Sequence, residues 1–174
     1  MLPKINPTGT YTDRQYDRVR GFRALVHAEF EAFLEDRVVD LANRAFANYG
    51  NPGPHSKVLL SLLAFHDQDW KRTDDTLRKR IDKARTHFVN MIKTCNHGIR
   101  EENIKNMLIP VGIEAFQLDE VWLGTIDTYG RDRGIIAHTA AHTQQPPDPS
   151  AEHGTVVFIM QGFKDIDEMM NALI

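Results

Sequence analysis

Cysteine is nearly absent: Cys95 stands alone among 174 residues, which excludes an internal disulfide and any cysteine-rich zinc cluster. No apolar run approaches the roughly 20 residues of a membrane span. The opening residues, Met1-Leu2-Pro3-Lys4-Ile5-Asn6-Pro7, lack the apolar core of a signal peptide. The expectation is a cytoplasmic protein with no membrane partner. Neither sign of charge dominates, since 21 Lys and Arg face 24 Asp and Glu for a net charge of −3. A chain-wide electrostatic grip on nucleic acid is therefore excluded, and such a partner would need a local patch. No glycine loop of the phosphate-cradling type is present, which argues against autonomous nucleotide binding or nucleotidyl transfer. Internal repeats and low-complexity stretches are also missing. The length suits one domain with one core.

What is present is helical spacing. Thr12 with Gln15 makes a possible capping box, after which Val19, Phe22, Val26, Phe30, Phe33, Leu34, Leu41 and Ala45 recur at helical intervals up to Gly50-Asn51-Pro52-Gly53-Pro54. A short apolar segment, Val58 to Phe65, follows. Thr73 or Asp74 can cap a third helix through Leu77, Ile81, Ala84, Phe88, Met91 and Ile92, ending near His97-Gly98. A short helix over Glu101 to Ile109 stops before Pro110. Asp119 can begin another that runs to about His142, where Gln144-Gln145-Pro146-Pro147-Asp148-Pro149 breaks it. Thr155 to Met160 is β-branched enough for a strand, but an isolated strand has no partner. A final helix, or two short ones with Asp165 and Glu168 capping the second, is expected over Ala151 to Ala172. The fold class is all-α: an up-and-down bundle of four to six helices in a single domain of residues 1–174, with its core over 12–143 and a C-terminal helical segment over 150–174. Trp122, Met91, Met169 and Met170 read as core, and Cys95 as a buried small residue.

One stretch breaks the apolar pattern with chemistry. Arg131-Asp132-Arg133-Gly134-Ile135-Ile136-Ala137-His138 brings two guanidiniums and an imidazole within two turns of an apolar helix. An imidazole can take a proton near neutral pH, and a guanidinium is a fixed cationic fork matched to phosphate oxygens. Leu118, Trp122, Ile126, Tyr129, Ile136, Ala137 and Ala140 form one stripe at about 100° per residue, and Arg133 falls inside it. A guanidinium there costs several kcal/mol unless it is paired or opens onto a cleft. The structural alternative is a brace to a carboxylate on the first helix, for which Glu31 or Glu29 is available. His138 lies roughly 140° around from Arg133 but shares its face with Arg131. His138 and His142 also have the spacing of two metal ligands on one turn, although no glutamate follows the first as the metalloprotease pattern requires.

The segment Arg133-Gly-Ile-Ile-Ala-His138 resembles the Arg-x4–6-His motif of the HEPN superfamily, in particular its RiboL-PSP branch, whose signature reads Arg-Asn-x-Ile-Ala-His. His27-Ala-Glu-Phe-Glu-Ala-Phe-Leu-Glu35 resembles that branch's first helix. Asn96-His-Gly-Ile99 and Leu108-Ile-Pro-Val-Gly112 resemble its approach to the motif. These landmarks span about residues 15 to 142. The resemblance implies a homodimeric helical bundle that acts as a metal-independent endoribonuclease, with no cofactor, in toxin–antitoxin or anti-phage defence. Arg133 and His138 would be the catalytic pair, and an antitoxin or other defence protein a partner. The chain departs from the pattern at Gly134, where members carry Asn, Asp or His. Arg131-Asp132 satisfies the looser spacing and restores a polar neighbour, so Arg131 is the second candidate arginine and Asp132 a supporting residue. The departure also leaves open a catalytically inactive binding or dimerisation module.

The residue types suit cleavage of RNA. The 2′-hydroxyl is an internal nucleophile, so the protein must remove its proton and stabilise charge on the phosphorane. His138 is the candidate base and Arg133 or Arg131 the anion stabiliser, leaving a 2′,3′-cyclic phosphate. Between Lys71 and Lys93 eight basic residues stand against three acidic ones, a local excess of five on an acidic chain. Arg78, Lys79 and Arg85 in this segment are the candidate RNA-binding residues; a solvated helix face is the alternative.

Overall fold

The computed structural model describes residues 2–4, 6, 9–67, 75–138 and 148–174, and only the backbone of residues 135–138. The fold is an all-α helical bundle, with no strand among the described residues. Its axis is α1 (Asp13–Ala47), a helix of 35 residues. At 1.5 Å per residue that is about 52 Å, long enough to touch every other helix. The start is fixed locally: the Thr12 backbone N–H donates to Gln15 Oε1 at 2.8 Å. Val19, His27, Leu34, Val38, Leu41, Ala42 and Ala45 are its buried residues. This line is rotated slightly from the sequence expectation, since Phe33 is exposed and Phe22, Val26 and Phe30 are only partly buried.

Two layers pack on α1. Toward its C-terminal half lie α2 (His55–His66) and α3 (Leu77–Thr94), joined through Val58, Leu62, Ile81, Ala84, Phe88 and Ile92. The cap of α3 is Thr76, whose hydroxyl accepts the Lys79 N–H, in place of the expected Thr73 or Asp74, which lie outside the described residues. Then α4 (Glu101–Leu108) leads through 3₁₀ turns at Ile109–Val111 and Ala115–Gln117 into α5 (Glu120–His138). Asp119 anchors the entry by accepting the Trp122 N–H at 2.7 Å.

The C-terminal segment is one helix, α6 (Pro149–Asn171), capped by Asp148, whose carboxylate accepts the Ser150 and Ala151 N–H groups. Proline at its first position needs no N–H there, so the dipeptide read as a break is a start. Asp165 and Glu168 lie inside this helix and cap nothing. Val156, Ile159, Phe163, Ile166 and Met170 recur on one face and enter the same core cluster as Leu34 and Trp122. The core thus extends beyond residues 12–143. The Trp122 indole N–H donates to the Ile159 carbonyl at 3.0 Å, and it crosses α6 where a Cβ on Gly162 would sit 2.1 Å from Nε1. Met170 is buried and Met91 and Met169 pack against the core, whereas Cys95 is exposed, being the residue at which α3 ends. No described helix is long and apolar enough to cross a membrane.

Candidate functional site

Leu118, Trp122, Ile126 and Tyr129 are buried along one face of α5, and Arg133 continues that face, half-buried. The side chains of Ile136 and Ala137 lie outside what is described, as does Ala140. So do the imidazoles of His138 and His142; His138 is the last described residue of the α5 backbone. The geometry of the motif is therefore that of its arginines.

The three arginines on this seam are held differently. Arg23 of α1 is locked: its Nε donates to both carboxylate oxygens of Glu152 at 3.0 Å, its Nη2 also donates to Glu152, and its Nη1 reaches Asp132 at 3.2 Å. Glu152 is buried to 2 % exposure, so this pair is internal. The Arg23 guanidinium also lies 5.5 Å from the Tyr129 ring, whose hydroxyl is pushed up by burial and by Glu152. Asp132 thus supports Arg23. Arg131 is exposed and donates to Asp127, which also accepts from Arg100 Nε at 3.1 Å and from the Glu101 N–H at 3.3 Å. That network ties α5 to the start of α4, and Arg100 and Arg131 hold the Asp127 carboxyl below the usual range despite burial.

Arg133 differs from both. Among the described residues it forms no ion pair, and its side chain lines an open cleft of about 460 Å³ with His27, Glu31, His97, Gly98, Arg100, Asn103 and Gly130. Glu29, the other carboxylate considered as its brace, lines a different groove with Phe30 and Phe163. The floor of the cleft is His27, on the buried line of α1. Burial and the Arg133 charge both lower the His27 pKa, against an opposing pull from Glu31, so the imidazole is neutral at pH 7. The loop after α3 supplies the far wall. Asn96 is buried and exchanges hydrogen bonds with Asn103, and Ile99 is fully buried, so the loop is seated at both ends. Between them Gly98 takes φ +99°, a conformation side chains disfavour, and its N–H donates to Glu31 Oε1. Gly130 lets α5 come close, since a Cβ there would stand 3.3 Å from Arg100 Cγ. Around Gly134 a Cβ would meet nothing within 4 Å.

The cleft can accept an anion at Arg133 and hold a proton or cation among His27, Glu31 and His97. His27 and His97 were not singled out by sequence reasoning. The signal was available for His27, a titratable residue seven positions before Leu34 on the apolar line.

The basic helix is more engaged than its charge count implies. Arg78 stacks over Phe46 and Tyr49 at 5.4 and 5.6 Å, and Arg85 over Phe46 at 5.0 Å. Arg85 also bonds Asp82 and Asn43, and Lys79 pairs with Asp75 at 2.7 Å. Lys71, Arg72 and Asp74 lie outside the described residues. Searches against protein-family models, curated proteins and solved structures found no match for this chain.

Proposed function

We propose that this chain is a metal-independent endoribonuclease of the HEPN type, in which Arg133 stabilises the charge developing on the scissile phosphate and His138 is the general base. The observation that supports this most directly is the setting of Arg133: a half-buried guanidinium, in line with Trp122 and Tyr129, that faces an open cleft rather than a carboxylate partner. An arginine kept only as a brace would be expected to sit as Arg23 does, closed on Glu152. Arg131 is the weaker candidate because Asp127 already neutralises it.

In this reading the base takes the 2′-hydroxyl proton, the oxygen attacks the adjacent phosphorus, and the leaving 5′-oxygen departs with a 2′,3′-cyclic phosphate left behind. The arginine acts most strongly at the dianionic transition state, which is where its binding lowers the barrier. Lys79 and the solvent edges of the stacked Arg78 and Arg85 form the phosphate track, which contacts backbone and confers little sequence preference. A homodimer would bring a second His138 as the general acid, a cytoplasmic location would give access to RNA, and an antitoxin or other defence protein would hold the activity in check. The second reading, an inactive HEPN-like dimerisation module, is favoured by Gly134, which offers no polar side chain beside Arg133.

Incubation of purified full-length protein with structured RNA in EDTA tests the choice. Cleavage to cyclic-phosphate ends that falls steeply in folded Arg133→Ala and His138→Ala proteins is expected. No cleavage by the parental protein over a range of RNAs favours the inactive module, and cleavage requiring added zinc, lost in His142→Ala, moves the chemistry to His138 and His142.

A further inference from the structure

The wall of the cleft carries a second constellation. His27, Glu31 and Glu35 follow one another at intervals of four on α1, which places them on one face over two turns. His97 comes to the same face from the loop after α3. One donor atom each from Glu31, Glu35 and His97 lies within 4.8 Å of the other two. The donors of a tetrahedral zinc ion, bound at about 2.0–2.2 Å, stand roughly 3.4 Å apart. Closing that gap takes about 1 Å of side-chain movement, and His97 is exposed and Glu35 half-buried, so both have room to make it.

Three further features single this group out from ordinary surface acids. The Nδ1 atom of His27 is buried with no hydrogen-bond partner, in a side chain only 7 % exposed, and it points to Glu31, whose Oε2 is 3.8 Å away. A buried polar nitrogen without a partner is uncommon and calls for one. Glu31 Oε1 is already fixed by the Gly98 N–H, which leaves the second oxygen oriented and available. The Glu35 carboxylate stands beside that of Glu31 on a half-buried face, a like-charge pairing that a bound cation would relieve.

We propose that Glu31, Glu35 and His97 bind one divalent transition-metal ion at the edge of the cleft, with the His27 imidazole beside Glu31 as an additional nitrogen donor. Two carboxylate oxygens with one or two imidazoles suit zinc, or iron and manganese in the same valence, better than the all-oxygen shells of calcium or magnesium. The site is independent of the ribonuclease reading: its ligands exclude Arg133 and His138, and its tests measure binding rather than cleavage. It adds a reason for the His27-x3-Glu31-x3-Glu35 spacing that RNA chemistry does not supply.

Titration of the full-length protein with Zn²⁺ followed by calorimetry, and with Co²⁺ followed by visible absorption, tests it. One equivalent of ion is expected, with cobalt bands of a nitrogen-containing shell. His97→Ala and Glu35→Gln should each weaken Zn²⁺ binding roughly tenfold or more, and the double variant should abolish it, with helical content unchanged by circular dichroism. Absence of binding by the parental protein, or undiminished binding by the double variant, overturns the proposal. So does loss of binding in His142→Ala alone, which would assign the ion to the His138–His142 pair.

Discussion

Two arginine-bearing regions flank α1, and they use the same side chain to opposite ends. On the α3 side Arg78 and Arg85 close over Phe46 and Tyr49, and Arg85 and Lys79 also hold the carboxylates of Asp82 and Asp75. On the α5 side one guanidinium, Arg133, is left facing a cleft with His27 and Glu31. The eight basic residues between Lys71 and Lys93 are thus a poorer guide to available charge than one arginine in an apolar stripe. A charged group displaced from where its polarity would put it needs a partner, and the partner is the information.

The sharpest break of this comparison is within the α5 side. Arg23→Ala leaves the Glu152 carboxylate buried without its counter-ion, and a loss of about 3–5 kcal/mol in urea unfolding is expected. A loss under about 1 kcal/mol would mean that the pair adds little to holding α6. Arg133→Ala is the counterpart: cleavage should fall about 10²–10³-fold while the unfolding midpoint barely moves. Arg131→Ala, which removes an exposed guanidinium and leaves Asp127 paired with Arg100, should cost less than about tenfold. The reverse order would place Arg131 in the site and leave Arg133 as packing.

Smaller effects test the α3 side. Joint reversal of Arg78 and Arg85 to glutamate should lower stability by about 1–2 kcal/mol, since each stacked cation contributes about 0.5–1 kcal/mol. The same variant should reduce the salt slope of single-stranded RNA binding by roughly 0.7 per lost phosphate contact. A changed stability with an unchanged slope would assign both arginines wholly to packing. Smallest of all, Gly134→Asn should stabilise α5 by a few tenths of a kcal/mol, because its Cβ meets open space and Gly is the weaker helix former. It should also raise cleavage by supplying a polar neighbour to Arg133; a stabilised protein with unchanged cleavage would show that this neighbour is dispensable.

Much of the fold was legible because its determinants are local. The Thr12–Gln15 pair, the Pro52-Gly53-Pro54 break and Asp119 each act within a turn of helix, and α1, α2 and α5 begin or end beside them. Asp148-Pro149 was equally local but was read as a break, since nearby prolines masked a capping carboxylate followed by a permitted N1 proline. The β-branched run at Thr155–Met160 is undecided by itself; burial of Val156, Ile159 and Phe163 on one face settles it as helix. The site was legible only in part. Arg133 announced itself by interrupting a stripe, but Arg23 and His27 do the same on α1 and were passed over for the more hydrophobic Phe22, Val26 and Phe33. Their environments are non-local: Glu152 lies 129 positions from Arg23, and Gly98 reaches Glu31 across 67. No window along the chain contains both partners.

The indole of Trp122, laid across Gly162 and bonded to the Ile159 carbonyl, makes a built-in optical gauge. Its emission depends on whether α6 is seated, because undocking exposes the ring to water and removes its acceptor together. With Trp70→Phe as background, fluorescence would follow the arrival of the last helix during refolding. Any side chain at position 162 would evict the ring and shift the same signal with no ligand added.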